Sequence, residues 1–219
     1  MLITRIVCQT DDPSRFAGGQ PAWQQLAGLA GFLGQFGGWS IANDREAILL
    51  SLWESDAHYQ AFLTTQHEGL AAESGQAAAL QAGQTACFEQ AIAIPGRDTD
   101  LGDLVRRWAR DGHPEAASLR LVETTVHAVA REGFFHAQRT LWNPALTANG
   151  ILAGTFGPNV TEPNGFLTVS LWATMADQDA YQRTVLPGLI SAADVIGSCR
   201  AITGRFATVV PDWTVGPAR

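Results

Sequence analysis

The chain carries one pattern twice. When its 219 residues are shifted by 119, Leu2 falls on Leu121, Phe16 on Phe135, Trp23 on Trp142, Gly31 on Gly150 and Leu33 on Leu152. The triplet Ser51-Leu52-Trp53 lands on Ser170-Leu171-Trp172, and after three inserted residues Tyr59-Gln60 answers Tyr181-Gln182. The chain has seven tryptophans, and two pairs of them at a single offset are hard to obtain by chance. Self-similarity at a fixed period means one supersecondary unit used again. The sequence therefore has to build the same motif in each half.

Each half reads the same way. Residues 2–8 and 119–126 are short β-rich runs. A helical stretch follows, with Phe16, Trp23, Leu26 and Ala30 in one half and Phe135, Trp142 and Leu146 in the other. Gly28, Gly31 and Asn149-Gly150 are the expected stops. Second strands are predicted over 32–41 and 151–160, and Pro163-Asn164-Gly165 is a hairpin turn because Asn-Gly tolerates positive φ. Third strands at 47–53 and 166–172 put Ile48, Leu50 and Leu52 on one face, with Ser51 and Trp53 on the other. Ser55 is a natural N-cap for a helix carrying Tyr59, Phe62, Leu63 and Leu70 along one stripe. Fourth strands over 86–94 and 201–210 close a βαββαβ order, the ferredoxin-like unit.

The predicted fold is α+β: tandem ferredoxin-like units at 1–94 and 117–212 forming a pseudo-dimeric α/β barrel within one chain. The connecting residues 95–116 hold Leu101, Leu104, Val105 and Trp108 at amphipathic spacing. Arg106, Arg107 and Arg110 read as the solvated face of that short helix. A duplicated chain of this kind is a monomeric pseudo-dimer or pairs again as a homodimer.

Composition narrows the chemistry. All 14 basic residues are arginine, so Walker-type phosphate loops, Schiff bases and lysine general bases are excluded. A net charge of −7 argues against a nucleic-acid partner. The most apolar long window, 26–41, is too short and too glycine-rich for a membrane helix, and residues 1–12 lack a signal-peptide pattern. Cys8, Cys87 and Cys199 are odd in number and widely spaced, which suggests neither disulfides nor zinc and fits a reducing cytoplasm. His58, His67, His113, His127 and His136 have no ligand spacing, so no metal is expected.

Repetition also sorts residues. Positions kept in both halves read as scaffold, which places Trp23, Trp142, Trp53 and Tyr59 in the core. Positions present once are candidates for function: Trp39, Ser74, Gln76, Gln35 against Thr155, and His67 against Leu189. His67 follows Leu63 by four on the second helix and should face the sheet, either as a proton-transfer group or as a core histidine bonded to backbone. Trp39 is either core or the wall of an aromatic pocket. Cys8, opposite His127 in this comparison, reads as a buried inert thiol. A ligand site is expected in the N-terminal half alone.

The run Gly31-Phe32-Leu33-Gly34-Gln35-Phe36-Gly37-Gly38-Trp39 resembles the YdbC-like family, as do Leu52-Trp53-Glu54, Tyr59, His67-Glu68 and Ser74-Gly75-Gln76. That family is a branch of the dimeric α/β-barrel superfamily, which includes antibiotic-biosynthesis and haem-degrading monooxygenases. The resemblance covers residues 1–93 well. It implies a small-molecule ligand and, by analogy with the cofactor-free monooxygenases, deprotonation of a hydroxylated aromatic whose anion reacts directly with dioxygen. No cofactor is implied. His67 would be the base, Trp39, Trp53 and Tyr59 the aromatic walls, and Gln35 or Gln76 the orienting groups. Haem degradation is disfavoured, because the first strand and second helix lack the residues that branch uses. The other open reading is a ligand-binding or stress-related protein that performs no chemistry.

Overall fold

A computed structural model describes residues 1–96, 100–112 and 117–218. His113 and the end of the expected linker lie outside the described residues. The first repeat gives β1 (Leu2–Thr10), α1 (Pro13–Gly18), a 3-10 helix (Gln20–Gly28), β2 (Phe32–Ser40) and β3 (Glu46–Trp53). It continues with α2 (Asp56–Thr65), α3 (His67–Ser74) and β4 (Leu80–Glu89). β5 (Ile92–Pro95) and α4 (Leu101–Asp111) lead to the second repeat. That repeat comprises β6 (Ser118–Val126), α5 (Arg131–Ala137), a π-helical turn (Gln138–Trp142), α6 (Asn143–Ala148), β7 (Ala153–Pro158) and β8 (Gly165–Trp172). It ends with α7 (Met175–Thr184), α8 (Leu186–Ala192), α9 (Val195–Ser198) and β9 (Cys199–Val209). The expected βαββαβ order is present twice.

The chain forms two compact units that borrow from each other's sequence. Unit 1 gathers Met1–Cys87, Val105–His113 and Ala207–Arg219, while unit 2 gathers Phe88–Leu104 and Pro114–Phe206. These are not the contiguous segments 1–94 and 117–212. In unit 1 the strands run β4-β1-β3-β2, and the last residues of β9 pair with β2 from Gly38↔Val209 to Ser40↔Ala207. In unit 2, β6 pairs with β8, β8 with β7, and β7 with β5, all antiparallel. The single fourth strand expected at 86–94 is thus two strands. Residues 90–91 break it, and β5 lies along β7 with Ile92 opposite Phe156.

Close backbone approach explains two glycines. A Cβ on Gly38 would sit 1.7 Å from the Thr208 carbonyl oxygen, and one on Gly157 would sit 1.8 Å from that of Glu89. Each repeat therefore admits its extra strand over a glycine.

The alternating pattern of β3 is as expected. Ile48, Leu50 and Leu52 are fully buried on one face, and Trp53 is buried on the other. α4 buries Leu101, Leu104, Val105 and Trp108. The helices differ more from expectation. The Gly18-Gly19 pair divides the first helix into α1, capped by the Asp12 side chain, and the 3-10 helix. The second helix breaks at Gln66, whose φ of −134° leaves the helical region. Just before the break, the Thr64 and Thr65 hydroxyls donate to the carbonyls of Gln60 and Ala61, a pattern that bends helices.

Strand register corrects the repeat alignment. Ile6 lies opposite Leu49 and Val122 opposite Thr168, so the first strands align at an offset of 116 rather than 119. Cys8 then corresponds to Thr124, not His127, and Thr4 to Arg120. Gln35 faces Ser51 as Gly154 faces Ser170, so the counterpart of Gln35 is Gly154 rather than Thr155. The helix caps Ser55 and Thr174 stand 119 apart, as do the turns after Phe62 and Tyr181, which leaves no insertion between strand and helix. Tyr181 therefore occupies the place of Phe62, not Tyr59, and His67 corresponds to Leu186, not Leu189.

Candidate functional site

A cavity of about 340 Å³ opens in unit 1 between the sheet and its helices. β1 and β3 supply its floor with Ile6, Cys8, Leu49, Ser51 and Trp53, all on the helix-facing side of their strands. Tyr59 and Phe62 from α2 and Trp23 from the 3-10 helix form the aromatic walls. Phe62 stacks on Trp53 with centroids 5.1 Å apart and planes at 22°. The Trp53 indole nitrogen donates to Ser51 Oγ at 3.0 Å, and that hydroxyl shares a short bond with the hydroxyl of Thr4. The Ser51 hydroxyl and the Trp53 indole are thereby satisfied, and the aromatic ring is held in place.

Most of the expected site residues converge here. Gln35, Trp53, Tyr59, His67 and Gln76 all line the cavity. Trp39 does not. It packs edge-on against Trp213 at 5.1 Å and against Phe16 at 5.7 Å, as part of a separate aromatic cluster. The residue after Gly38 in β2 lies beside the incoming C-terminal segment, so its ring meets Trp213 instead of the cavity.

His67 is exposed at the cavity margin and is not a core histidine. Because α3 begins at His67 itself, its ring is carried out to the cavity wall rather than into the stripe of α2. It lies 5.9 Å from the Trp23 ring and 5.5 Å, edge-on, from Phe62. No carboxylate among the described residues orients its ring.

The two glutamines have different jobs. Gln76 is a strut: Trp23 Nε1 donates to its Oε1 at 2.8 Å, and its Nε2 donates to the Phe16 carbonyl at 2.6 Å. Gln35 is anchored by its backbone to Val215, but its side-chain nitrogen is buried without a partner. Gln20, which the sequence reading did not single out, presents a side-chain oxygen in the same condition. Trp23 and Trp142 were expected in the core; both are half-buried cavity walls.

Burial sets the acid–base character of the walls. It pushes the Tyr59 hydroxyl up to about 12, helped by nearby Cys87 and Asp56, so the phenol stays protonated at neutral pH. Burial likewise raises the Cys8 thiol to about 11, which makes it an inert wall. Among the described residues no group of three or more His, Cys, Asp or Glu side chains could hold a metal, and no helix is long and apolar enough to cross a membrane.

Unit 2 has its own cavity, of about 190 Å³, at the corresponding place. The site is thus not confined to the N-terminal half by shape. It differs by chemistry: where unit 1 has His67, Gln35 and Gln76, unit 2 has Leu186, Gly154 and Val195. The last pair follows from the left-handed residues Gly75 and Asp194, which match at the same offset.

The fold and cavity define the class, an α+β protein of duplicated ferredoxin-like units like those of solved monooxygenase-like structures. A candidate monooxygenase from Lactobacillus acidophilus NCFM is 13% identical with a TM-score of 0.70, over 98% of this chain and 96% of that one. An anthrone oxidase-like protein is 12% identical with a TM-score of 0.67, over 100% of this chain and 94% of that one. The chain belongs to the family described as domain of unknown function DUF4937, which residues 2–88 match. The uncharacterized protein YdbC of Bacillus subtilis (strain 168) is 30% identical over 94 residues, covering 41% of this chain and 79% of YdbC.

Proposed function

We propose that unit 1 binds a small hydroxylated aromatic and oxidises it with dioxygen, without a cofactor. One observation carries this reading. An aromatic-walled cavity holds two buried carboxamides that each leave one atom unpaired, the Gln35 nitrogen and the Gln20 oxygen, with the ionisable ring of His67 at its margin. Pockets that are mostly apolar with a few converging polar groups are the usual form of a small-molecule site. The likeness in fold to an anthrone oxidase-like protein supports the same substrate class.

The chemistry balances on substrate and oxygen alone. His67 takes the hydroxyl proton, and Gln35 steadies the resulting anion by donating from its side-chain nitrogen. The electron-rich carbon of the anion passes an electron to dioxygen, and the radical pair combines to a hydroperoxide at that carbon. Loss of water leaves a carbonyl, so one oxygen atom enters the product and the other leaves as water. The substrate supplies all four electrons that dioxygen gains.

Oxygen uptake with a panel of phenols, naphthols and anthrone tests this directly. Uptake in metal-free, flavin-free buffer is expected, with a quinone-type product carrying one atom of labelled oxygen. His67→Ala should lower the rate about 100-fold. Absence of uptake across the panel, with binding intact, would favour the second reading of a ligand-binding protein. The lack of a carboxylate orienting His67 is the observation on that side. From the duplication we also propose the pseudo-dimeric α/β barrel within one chain, which a crystal structure tests.

A further inference from the structure

The cavity of unit 2 contains a charge that no carboxylate among the described residues answers. β6 alternates, so Leu119 and Leu121 are buried on one face while Arg120, Val122 and Thr124 line the cavity on the other. Arg120 is only 8% exposed, and its Nε has no hydrogen-bond partner. Among the described residues no carboxylate pairs with it, and none lines the cavity. The corresponding residue of unit 1 is Thr4, which bonds to Ser51, so the arginine is no requirement of the repeat.

Two further donors are left open beside it. The Tyr181 hydroxyl and the Trp142 indole nitrogen both line this cavity, both are buried, and neither has a partner. Arg120 and Tyr181 stand close enough to feel each other's charge, while burial drives the guanidinium downward. A buried cation with no counter-ion is costly. Three unpaired donors around one apolar space make a receptor for an acceptor-only group, and a carboxylate matches the guanidinium fork.

We propose that the cavity of unit 2 is a second, independent ligand site that takes a small carboxylic acid with a flat apolar body. Arg120 would bind the carboxylate, with Tyr181 or Trp142 donating to its oxygens. Phe134, Leu146, Leu186 and Phe206 would cover the ring. An engineered apolar cavity of about 150 Å³ accepts benzene, so a space of about 190 Å³ suits a single ring. The proposal does not depend on the activity assigned to unit 1.

Benzoate is the probe, measured by calorimetric titration against benzyl alcohol, its neutral counterpart, and acetate, its charge without a ring. Saturable benzoate binding is expected, with both controls roughly tenfold weaker or worse. Arg120→Met should weaken benzoate roughly tenfold to a hundredfold and leave benzyl alcohol unchanged. The same variant without ligand should melt higher than the wild type, because it removes an unpaired buried charge. Tyr181→Phe and Trp142→Phe keep the ring shapes and serve if Arg120→Met does not fold; at least one should weaken benzoate several-fold. No benzoate binding to the wild type, or equal binding by wild type and all three variants, would overturn the proposal.

Discussion

Replacing the two unit 1 glutamines by leucine should move stability in opposite directions. Gln76 makes two side-chain bonds, a partly buried one with Trp23 Nε1 at 2.8 Å and a buried one to the Phe16 carbonyl at 2.6 Å. Each contributes about 1 kcal/mol net, and stranding the indole N–H adds about 1 more. The Phe16 carbonyl loses less, because the Gly19 amide still donates to it at 3.2 Å. Gln76→Leu should therefore cost about 2–4 kcal/mol, a fall in Tm of roughly 5–15 °C for a chain of this length. Gln35→Leu instead deletes a buried carboxamide nitrogen with no partner, and should stabilise the free protein by about 1 kcal/mol. Urea unfolding of both variants, with Trp23→Phe completing a double-mutant cycle at Gln76, measures each term. The coupling between Trp23 and Gln76 should be about 1 kcal/mol. A loss below about 1 kcal/mol for Gln76→Leu, or an equal loss for Gln35→Leu, would refute the division into strut and ligand group.

Alkaline pH should destabilise the fold through Cys8, whose thiol burial raises from 9.0 to about 11. The folded state holds this proton more tightly, so the stabilisation is complete below pH 9, declines above it and is lost by about pH 11. It amounts to about 3 kcal/mol, and urea midpoints across this range should fall less steeply in Cys8→Ala. Gly38→Ala should cost about 3 kcal/mol or more, because its Cβ would meet the Thr208 carbonyl oxygen at 1.7 Å. Gly28→Ala, with nothing within 4 Å, should stay within about 0.5 kcal/mol of wild type in the same assay. Trp53→Ala and Trp172→Ala, at 1% and 0% exposure, should each cost about 3–5 kcal/mol by thermal or urea unfolding.

The motif was legible because duplication repeats its hydrophobic rhythm, and a period of two in Ile48, Leu50 and Leu52 admits no other element. Fine alignment was not legible. Identity matching placed Tyr181 on Tyr59, yet the capping residues Ser55 and Thr174 fix the helix register and put Tyr181 on Phe62. Trp39 was misplaced because alternation tells which face a residue occupies, not which neighbour arrives there; Trp213, distant in sequence, covers it. Trp23 and Trp142 were read as core because repeated positions were equated with scaffold. In this protein the repeated aromatics frame a cavity in each unit, and chemistry differs at the positions between them. The exchange of terminal segments between units left no mark except the glycines, which a sequence offers without their neighbours.

Affinity for 2-naphthol in wild type and Gln35→Leu tests the central assignment most directly. The variant is expected to be more stable than wild type, so weakened binding cannot be put down to unfolding. Titration followed by tryptophan fluorescence should show saturable binding to wild type and roughly tenfold weaker binding to Gln35→Leu, the loss of one bond from a buried donor to an anionic or hydroxyl oxygen. Equal affinity in the two proteins, or no saturable binding to wild type, would contradict the assignment of this cavity as the site.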